Sequence, residues 1–232
     1  MSSTILMSVS LFCLVHGSTQ NAACWDLLIP KLEEAGHQCV RMNLPTDTPE
    51  ASATHYAGII AEAIPADRDD AIVVAHSASG LFLPLVPERR RVRRMVFLAA
   101  VVPQIGKSLT DQVKEDKGMF NPEWLGKDPT KDAQIALRFL LHDCSAETGK
   151  WALARMSLMF ARQAILEVSP LVEWPGVPST YIVCAEDRAL QPEWSRRVAR
   201  ERLSSEAIEL PGGHCPYVSR PGALAEVLGA LD

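Results

Sequence analysis

The stretch "AIVVAHSASG", residues 71–80, joins an apolar run to a turn of small residues. The run "AIVV" is typical of a buried strand, and the chain leaves it with a hydroxyl group at Ser77. One interpretation is a tight turn, and the other is a sharp strand-to-helix elbow that exposes Ser77 as a nucleophile. The strict elbow pattern is G-x-S-x-G, whereas Ala75 and Ser79 stand here at the two glycine positions. The stretch alone leaves both interpretations open.

The length and charge of the chain limit the classes of protein it can form. A chain of 232 residues can bury one sizeable core, which predicts a single domain over residues 1–232. The apolar content of 47% and the charged content of 22% are those of an ordinary globular protein. A formal net charge of -5 gives no reason to expect a nucleic acid or an anionic membrane as partner. Oligomeric state is undecided, and a homodimer stays an open alternative.

The cysteines and the amino-terminal run bear on the compartment. The six cysteines form no C-x-x-C pair and lack zinc-finger spacing to histidine, so we interpret them as reduced thiols. Residues 5–15 are mostly apolar, but no Lys or Arg precedes Lys31, so the charged start of a signal peptide is missing. The run is also too short to span a membrane. We therefore expect a cytoplasmic protein.

Short β-rich runs alternate with amphipathic stretches along the chain. This alternation predicts an α/β fold of about six mostly parallel strands with helices on both faces. The predicted strands are Ser10–Val15, Gln38–Met42, Ala71–His76, Arg94–Val101, Thr180–Cys184 and Ala207–Leu210. The predicted helices are Trp25–Ala35, Pro49–Ile64, Gly80–Val86, Pro192–Leu203 and Gly222–Leu231.

The alternation is interrupted after the fourth predicted strand. Residues 104–172 show no strand pattern, and runs such as "KDAQIALRFLLHDC" and "TGKWALARMSLMFA" have helical periodicity. We expect this insertion to form a helical lid over a core of residues 1–103 and 173–232. Trp151 and Met159 are candidates to line the substrate pocket, although their helical spacing fits core packing as well.

Two further strands end in side chains that could act with Ser77. Asp187 follows the run "TYIVCAE", and His214 lies in "PGGHCP" after the run "AIEL". Because parallel strands end at one edge of a sheet, these residues can converge there. Their order, nucleophile then acid then histidine, is that of serine hydrolases built on an elbow. Glu186 competes with Asp187 for the role of the acid. Adjacent residues at a strand end point to opposite sides, so only one of the two can face His214.

The first predicted strand ends in a His-Gly turn, "LVHGST". Such a turn can aim a backbone amide at a developing oxyanion, and the second donor is the amide after the nucleophile. We therefore predict the amides of Ser18 and Ala78 as the oxyanion hole. Gly17 lets the loop approach the substrate, and we expect His16 to organise the loop.

Four motifs together resemble the α/β-hydrolase superfamily. They are "LVHGSTQNAACWDLLIPKLEEAGHQCVRMNLP", "VVAHSASG", "AEDRALQPEW" and "GGHCPYVSRPGAL". Within the superfamily they are similar to the small-lid group of plant methylesterases and hydroxynitrile lyases and to related bacterial esterases. The resemblance implies a Ser77–Asp187–His214 triad, a helical lid and no cofactor, and its register favours Asp187 over Glu186.

The chain departs from that group in two ways. The His-Gly strand comes almost directly at the start of the sequence, so we expect the superfamily's two leading strands to be absent and about six strands to be present. The lyase branch has a hydroxyl residue after the histidine of the first turn and a Lys after the catalytic histidine. Here those positions are Gly17 and Cys215. Without a cation to stabilise cyanide, we expect hydrolysis.

Other suggestive patterns receive structural interpretations. "ERRRVRR", residues 88–94, leads into the amino end of a strand and reads as a solvated loop. "HDC", residues 142–144, has metal-ligand residue types without their spacing, so we expect no metal and interpret it as the end of a lid helix. His76 is expected to pack or hydrogen-bond, and Ser79 to cap a helix. No nucleotide-binding glycine motif occurs.

These observations lead to one functional hypothesis with two alternatives. The hypothesis is a cofactor-independent serine carboxylesterase that cleaves a small or medium apolar ester or lactone through an acyl-enzyme. One alternative is other chemistry on the same triad, such as cyanohydrin cleavage or a biosynthetic acyl or lactone reaction. The other is a ligand-binding receptor with a slow triad.

Overall fold

The computed structural model describes residues 9–231, so part of the apolar amino-terminal run discussed above lies outside the described residues. One six-stranded parallel sheet has the order β2-β1-β3-β4-β5-β6. Its strands are β1 (Leu11–Val15), β2 (Gln38–Arg41), β3 (Ile72–His76), β4 (Arg94–Leu98), β5 (Ser179–Cys184) and β6 (Ile208–Leu210). The expectation of about six mostly parallel strands is confirmed.

The helices are short and begin with local signals that the sequence carries. Ser52 caps α2 by accepting the His55 amide at 3.1 Å, and α7 and α9 each begin at a proline. The helices are α1 (Ile29–Glu34), α2 (Ala53–Ala63), α3 (Leu109–Glu115), α4 (Ala133–Phe139), α5 (Ala146–Leu153), α6 (Arg162–Leu166), α7 (Pro192–Leu203), α8 (Pro216–Ser219) and α9 (Pro221–Gly229). None of them, between residues 9 and 231, is long and apolar enough to cross a bilayer.

The central strands β1 and β3 are buried on both faces, as expected for strands whose residues are all apolar except His76 at the end of β3. Alternate side chains enter two separate cores. Cys13 and Val73 pack on the side that holds α2 and α7, whereas Leu14 and Val74 pack on the side that holds α1, α8 and α9. The expectation of helices on both faces is therefore confirmed.

Several predicted boundaries are wrong for identifiable reasons. The helix predicted over Gly80–Val86 is instead two 3₁₀ turns, Ser77–Leu81 and Leu83–Leu85, because Pro84 has no amide to continue an α-helix. β4 ends at Leu98 rather than Val101, since Ala99 takes a left-handed φ of 42°. Ser79 lies inside the first 3₁₀ turn, where its hydroxyl donates to the His76 carbonyl at 2.7 Å, so it is not a helix cap.

Helix bounds also differ elsewhere. The stretch predicted as one helix over Trp25–Ala35 divides into a 3₁₀ turn, Ala22–Trp25, and α1. The helix predicted over Pro49–Ile64 begins only at Ala53, after its cap at Ser52. The sequence pattern did not predict α8. Four helices, α3 to α6, lie between β4 and β5, in the stretch predicted to form a lid. That this stretch covers the site stays a prediction.

Arg94 is the first residue of β4, so the arginine cluster of residues 88–94 lies at the opposite sheet edge from Ser77.

Candidate active site

Ser77 occupies a sharp turn directly after β3. Its φ of 55° is in the left-handed region, which costs a non-glycine residue about 1–2 kcal/mol. The turn is held because the Val101 amide donates to the Ser77 carbonyl at 3.0 Å. Gly80 is required nearby, since a Cβ there would lie 2.2 Å from the Val101 carbonyl oxygen. The geometry is that of an elbow rather than an ordinary turn.

The structure brings together the three side chains that the sequence singled out. His214 Nε2 lies 3.0 Å from Ser77 Oγ, and His214 Nδ1 lies 2.7 Å from Asp187 Oδ2. The histidine and aspartate side chains are almost fully buried. With Nδ1–H donating to the carboxylate, Nε2 is left to accept the serine proton. This is the hydrogen-bonded arrangement of an activated nucleophile.

The loop after β5 holds the carboxylate of Asp187 in place. The amides of Ala189 and Leu190 donate to its Oδ1 at 2.7 and 3.1 Å, which leaves Oδ2 for the histidine. Glu186 is exposed and takes no part in this chain of hydrogen bonds. Of the two adjacent acids, Asp187 therefore meets His214.

The His-Gly turn after β1 packs directly against the elbow. A Cβ on Gly17 would lie 2.7 Å from His76 Nδ1 and 2.9 Å from Ser77 Cβ, so glycine is required at this close approach. His16 fixes the loop, because its Nδ1–H donates to the Gly17 carbonyl and its Nε2 accepts the Leu44 amide, both at 2.9 Å. Burial lowers the pKa of His16 to about 4.

A largely apolar cavity of about 140 Å³ opens onto Ser77 and His214. Both residues predicted for the oxyanion hole, Ser18 and Ala78, line it. The segment between β4 and β5 contributes much of the wall, including Met159, which the sequence proposed as a pocket residue. The lining residues from that segment are Val101, Leu109, Phe120, Trp124, Lys127, Pro129, Leu140, Met159 and Ile165.

Trp151 lies at a different place from Met159. It lines a second, smaller apolar cavity of about 20 Å³ together with Met156 and Val218. Gln20 and Leu140 line both cavities and therefore stand between them.

A buried polar network beneath His214 was not found from the sequence. His76 Nε2–H donates to the His214 carbonyl at 2.8 Å, and the Tyr217 hydroxyl donates to Gln20 Oε1. Burial lowers the pKa of His76 well below its ordinary value, which keeps the ring neutral. Gln20 and Tyr217 carry no recognisable pattern, because they meet only through the fold. No group of three potential metal ligands occurs between residues 9 and 231.

The family model for the alpha/beta hydrolase family matches residues 14–227. The chain belongs to this family, and its fold is that of an alpha/beta hydrolase. Among curated relatives, "Probable hydrolase R7" of Phoma sp. is 28% identical over 97% of this chain and 99% of its own length. Methylesterase 7 of Arabidopsis thaliana is 25% identical and covers 94% of each chain. A solved structure of polyneuridine aldehyde esterase has a TM-score of 0.77 at 21% identity, covering 97% of this chain and 100% of that chain. These relatives confirm the predicted resemblance of the chain to the small-lid methylesterase group.

Proposed function

We propose that this hydrolase is a serine carboxylesterase that works through an acyl-enzyme on Ser77. The observation that carries the proposal is the hydrogen-bonded chain from Ser77 through His214 to Asp187, of which Ser77 and His214 line an apolar cavity. The esterase and methylesterase names of its relatives are consistent with this chemistry.

The proposed mechanism follows from the hydrogen bonds. As Ser77 Oγ attacks the ester carbonyl carbon, His214 Nε2 takes its proton, and Asp187 stabilises the imidazolium. The amides of Ser18 and Ala78 stabilise the oxyanion, and losing one such donor typically costs about 100- to 1000-fold in rate. His214 then protonates the departing alcohol. A water molecule, deprotonated by His214, hydrolyses the acyl-enzyme.

The cavity supports a small or medium ester or lactone with apolar groups as substrate. Its volume of about 140 Å³ is lined mainly by aliphatic and aromatic side chains from the segment between β4 and β5. Substrate choice would therefore depend on that segment, acting as a lid. A cyanohydrin-cleaving reaction is less well supported, because Cys215 occupies the position after His214. A thiol carries no positive charge, and burial raises its pKa to about 12, so Cys215 remains neutral.

The experiment is labelling with a fluorophosphonate probe alongside hydrolysis of p-nitrophenyl acetate. We expect the wild type to be labelled and Ser77→Ala to lose labelling and at least about 1000-fold in turnover. Ser79→Ala is the matched control, since this serine lies two residues away and its hydroxyl is bonded to the His76 carbonyl. It should keep both labelling and turnover.

Each other outcome has a definite meaning. Full labelling of Ser77→Ala would overturn the assignment of the nucleophile. Labelling of the wild type without hydrolysis of any ester in a broad panel would favour a ligand-binding receptor with a slow triad. Cleavage of mandelonitrile in preference to every ester would place the reaction with the lyases.

A further inference from the structure

Two adjacent residues of the insertion, His142 and Asp143, contact both loops that carry the general base and its acid. They lie in the turn after α4 and belong to the "HDC" run, which the sequence interpretation treated as a helix end. The mechanism described above does not use either side chain. Their partners are the residues immediately before Asp187 and His214.

Asp143 holds the histidine loop. Its Oδ2 accepts the Gly213 amide at 2.9 Å, and Arg220 Nε lies 3.6 Å from the same oxygen. The carboxylate is only 7% exposed, and Oδ1 has no hydrogen-bond partner among the described residues. Burying a carboxylate with one oxygen unsatisfied costs stability, and the Gly213 amide and Arg220 offset part of that cost at the other oxygen.

His142 holds the aspartate loop. Its Nε2–H donates to the Glu186 carbonyl at 2.9 Å, one residue before Asp187. The fit against the other loop is close as well, because a Cβ on Gly213 would lie 2.7 Å from His142 Nε2 and 2.8 Å from Asp143 Oδ1. The paired glycines before His214 therefore leave room for these two side chains.

We propose that His142 and Asp143 are positioning residues that fix His214 and Asp187 relative to Ser77. This inference rests on the proposed function, since it assigns a role only if the triad reacts. Catalysis would then depend on docking of the insertion, because the turn that joins α4 to α5 fixes the positions of the loops that carry Asp187 and His214. A displacement of about 1 Å in such a site can cost on the order of 100-fold in rate.

The test compares steady-state kinetics of p-nitrophenyl acetate hydrolysis in variants whose folding is checked by circular dichroism. Asp143→Ala should lower kcat by about 10- to 100-fold and leave KM within about two-fold, since the loss is in geometry rather than binding. Asp143→Asn keeps an oxygen for the Gly213 amide and should recover kcat to within about three-fold of the wild type. His142→Ala should lower kcat by about 3- to 10-fold, with His142→Gln recovering part of it.

Asp116→Ala is the matched control. Asp116 also belongs to the insertion, accepts a glycine amide (Gly118, 3.2 Å) and pairs with an arginine (Arg197), but it lies on neither catalytic loop. Its kcat should match the wild type. A fall in kcat no larger for Asp143→Ala than for Asp116→Ala would overturn the proposal. If Asp143→Ala does not fold, Asp143→Asn and His142→Ala test the proposal instead. A wild-type kcat in His142→Ala would then overturn the positioning role.

Ser77→Ala distinguishes failure of this inference from failure of the proposed function. If Ser77→Ala is inactive while both His142 and Asp143 variants keep full kcat, only the positioning role is wrong. If Ser77→Ala keeps full activity, the triad itself is wrong, and the positioning role falls with it.

Discussion

Ser77 has a strained backbone that its neighbours hold in place. The left-handed φ of 55° is stabilised by the Val101 amide and by the close approach of Gly80. The strain projects the hydroxyl away from the strand and toward His214, which a relaxed turn would not do. Ala75 and Ser79 replace the usual glycines without preventing this geometry. Ala75 lies within β3, and Ser79 has turned its hydroxyl toward the His76 carbonyl.

His16 makes stability depend on pH. Its pKa is about 4 in the folded protein, below an unfolded value of about 6.5, because burial disfavours the charged form of the ring. The unfolded state therefore binds the proton more readily, and stability is lost as pH falls from about 6.5 toward 4. Linkage gives a loss of about 2 kcal/mol from His16 between about pH 8 and about pH 5. Urea unfolding at the two pH values measures it.

The variant His16→Gln isolates this contribution. Glutamine offers an oxygen to the Leu44 amide but does not titrate, so the fall in unfolding free energy should shrink by about 2 kcal/mol. His55→Gln, which changes an exposed ring on α2, is the control and should keep the wild-type loss. An undiminished loss in His16→Gln would contradict the prediction.

The strands are easier to predict from the sequence than the helices. Runs such as "LFCLV" and "IVVA" are apolar throughout and are typical of buried parallel strands. The apolar residues after Ser77 predict one helix, whereas Pro84 and the contact between Gly80 and Val101 divide the stretch into two 3₁₀ turns. The latter depends on β4 lying beside β3, which no local pattern reports.

Leu140, at the end of α4, separates the two cavities. It is 5% exposed and lines both, so Leu140→Ala should join them into a longer apolar chamber. We expect kcat/KM for p-nitrophenyl hexanoate relative to acetate to rise about 10-fold. The truncation should also lower the free energy of unfolding by about 2–4 kcal/mol.

Leu137→Ala tests whether the effect belongs to the cavity wall. Leu137 lies one turn earlier on α4, is half-buried and packs against Gly149 without lining either cavity. This variant should lose stability while keeping the wild-type preference for chain length. The same shift in preference in both variants would attribute it to general loosening of α4 instead.

The candidate active site could be predicted from the sequence where it depends on the ends of strands. Ser77, Asp187 and His214 each follow a recognisable strand, so a parallel sheet was enough to bring them to one edge. The helical periodicity predicted through Met159 is wrong, because α5 holds Trp151 but ends at Leu153; of the two residues, only Met159 lines the cavity at Ser77. Side-chain direction within the insertion depends on tertiary packing, as do the contacts of Gln20, Tyr217 and Asp143.

The insertion and the sheet should unfold together. Helices of 5 to 8 residues such as α6 and α5 are not stable alone. The stretch between them is attached to the loop after β1, because the Ser157 amide donates to the Thr19 carbonyl at 2.8 Å. We expect loss of ester hydrolysis and loss of far-ultraviolet circular dichroism to share one urea midpoint. An earlier loss of activity would mean that the insertion separates first.

The insertion leaves the sheet after β4 and returns at β5, and these strands are neighbours. Recombination could therefore exchange this contiguous portion of the gene for another without shifting any strand register. New substrate ranges could arise in a single event while the reacting groups are inherited intact. Given the positioning role proposed above, an exchanged segment would still need a histidine and an aspartate where His142 and Asp143 contact the catalytic loops. A protein whose new segment lacked these residues would bind esters but hydrolyse them slowly.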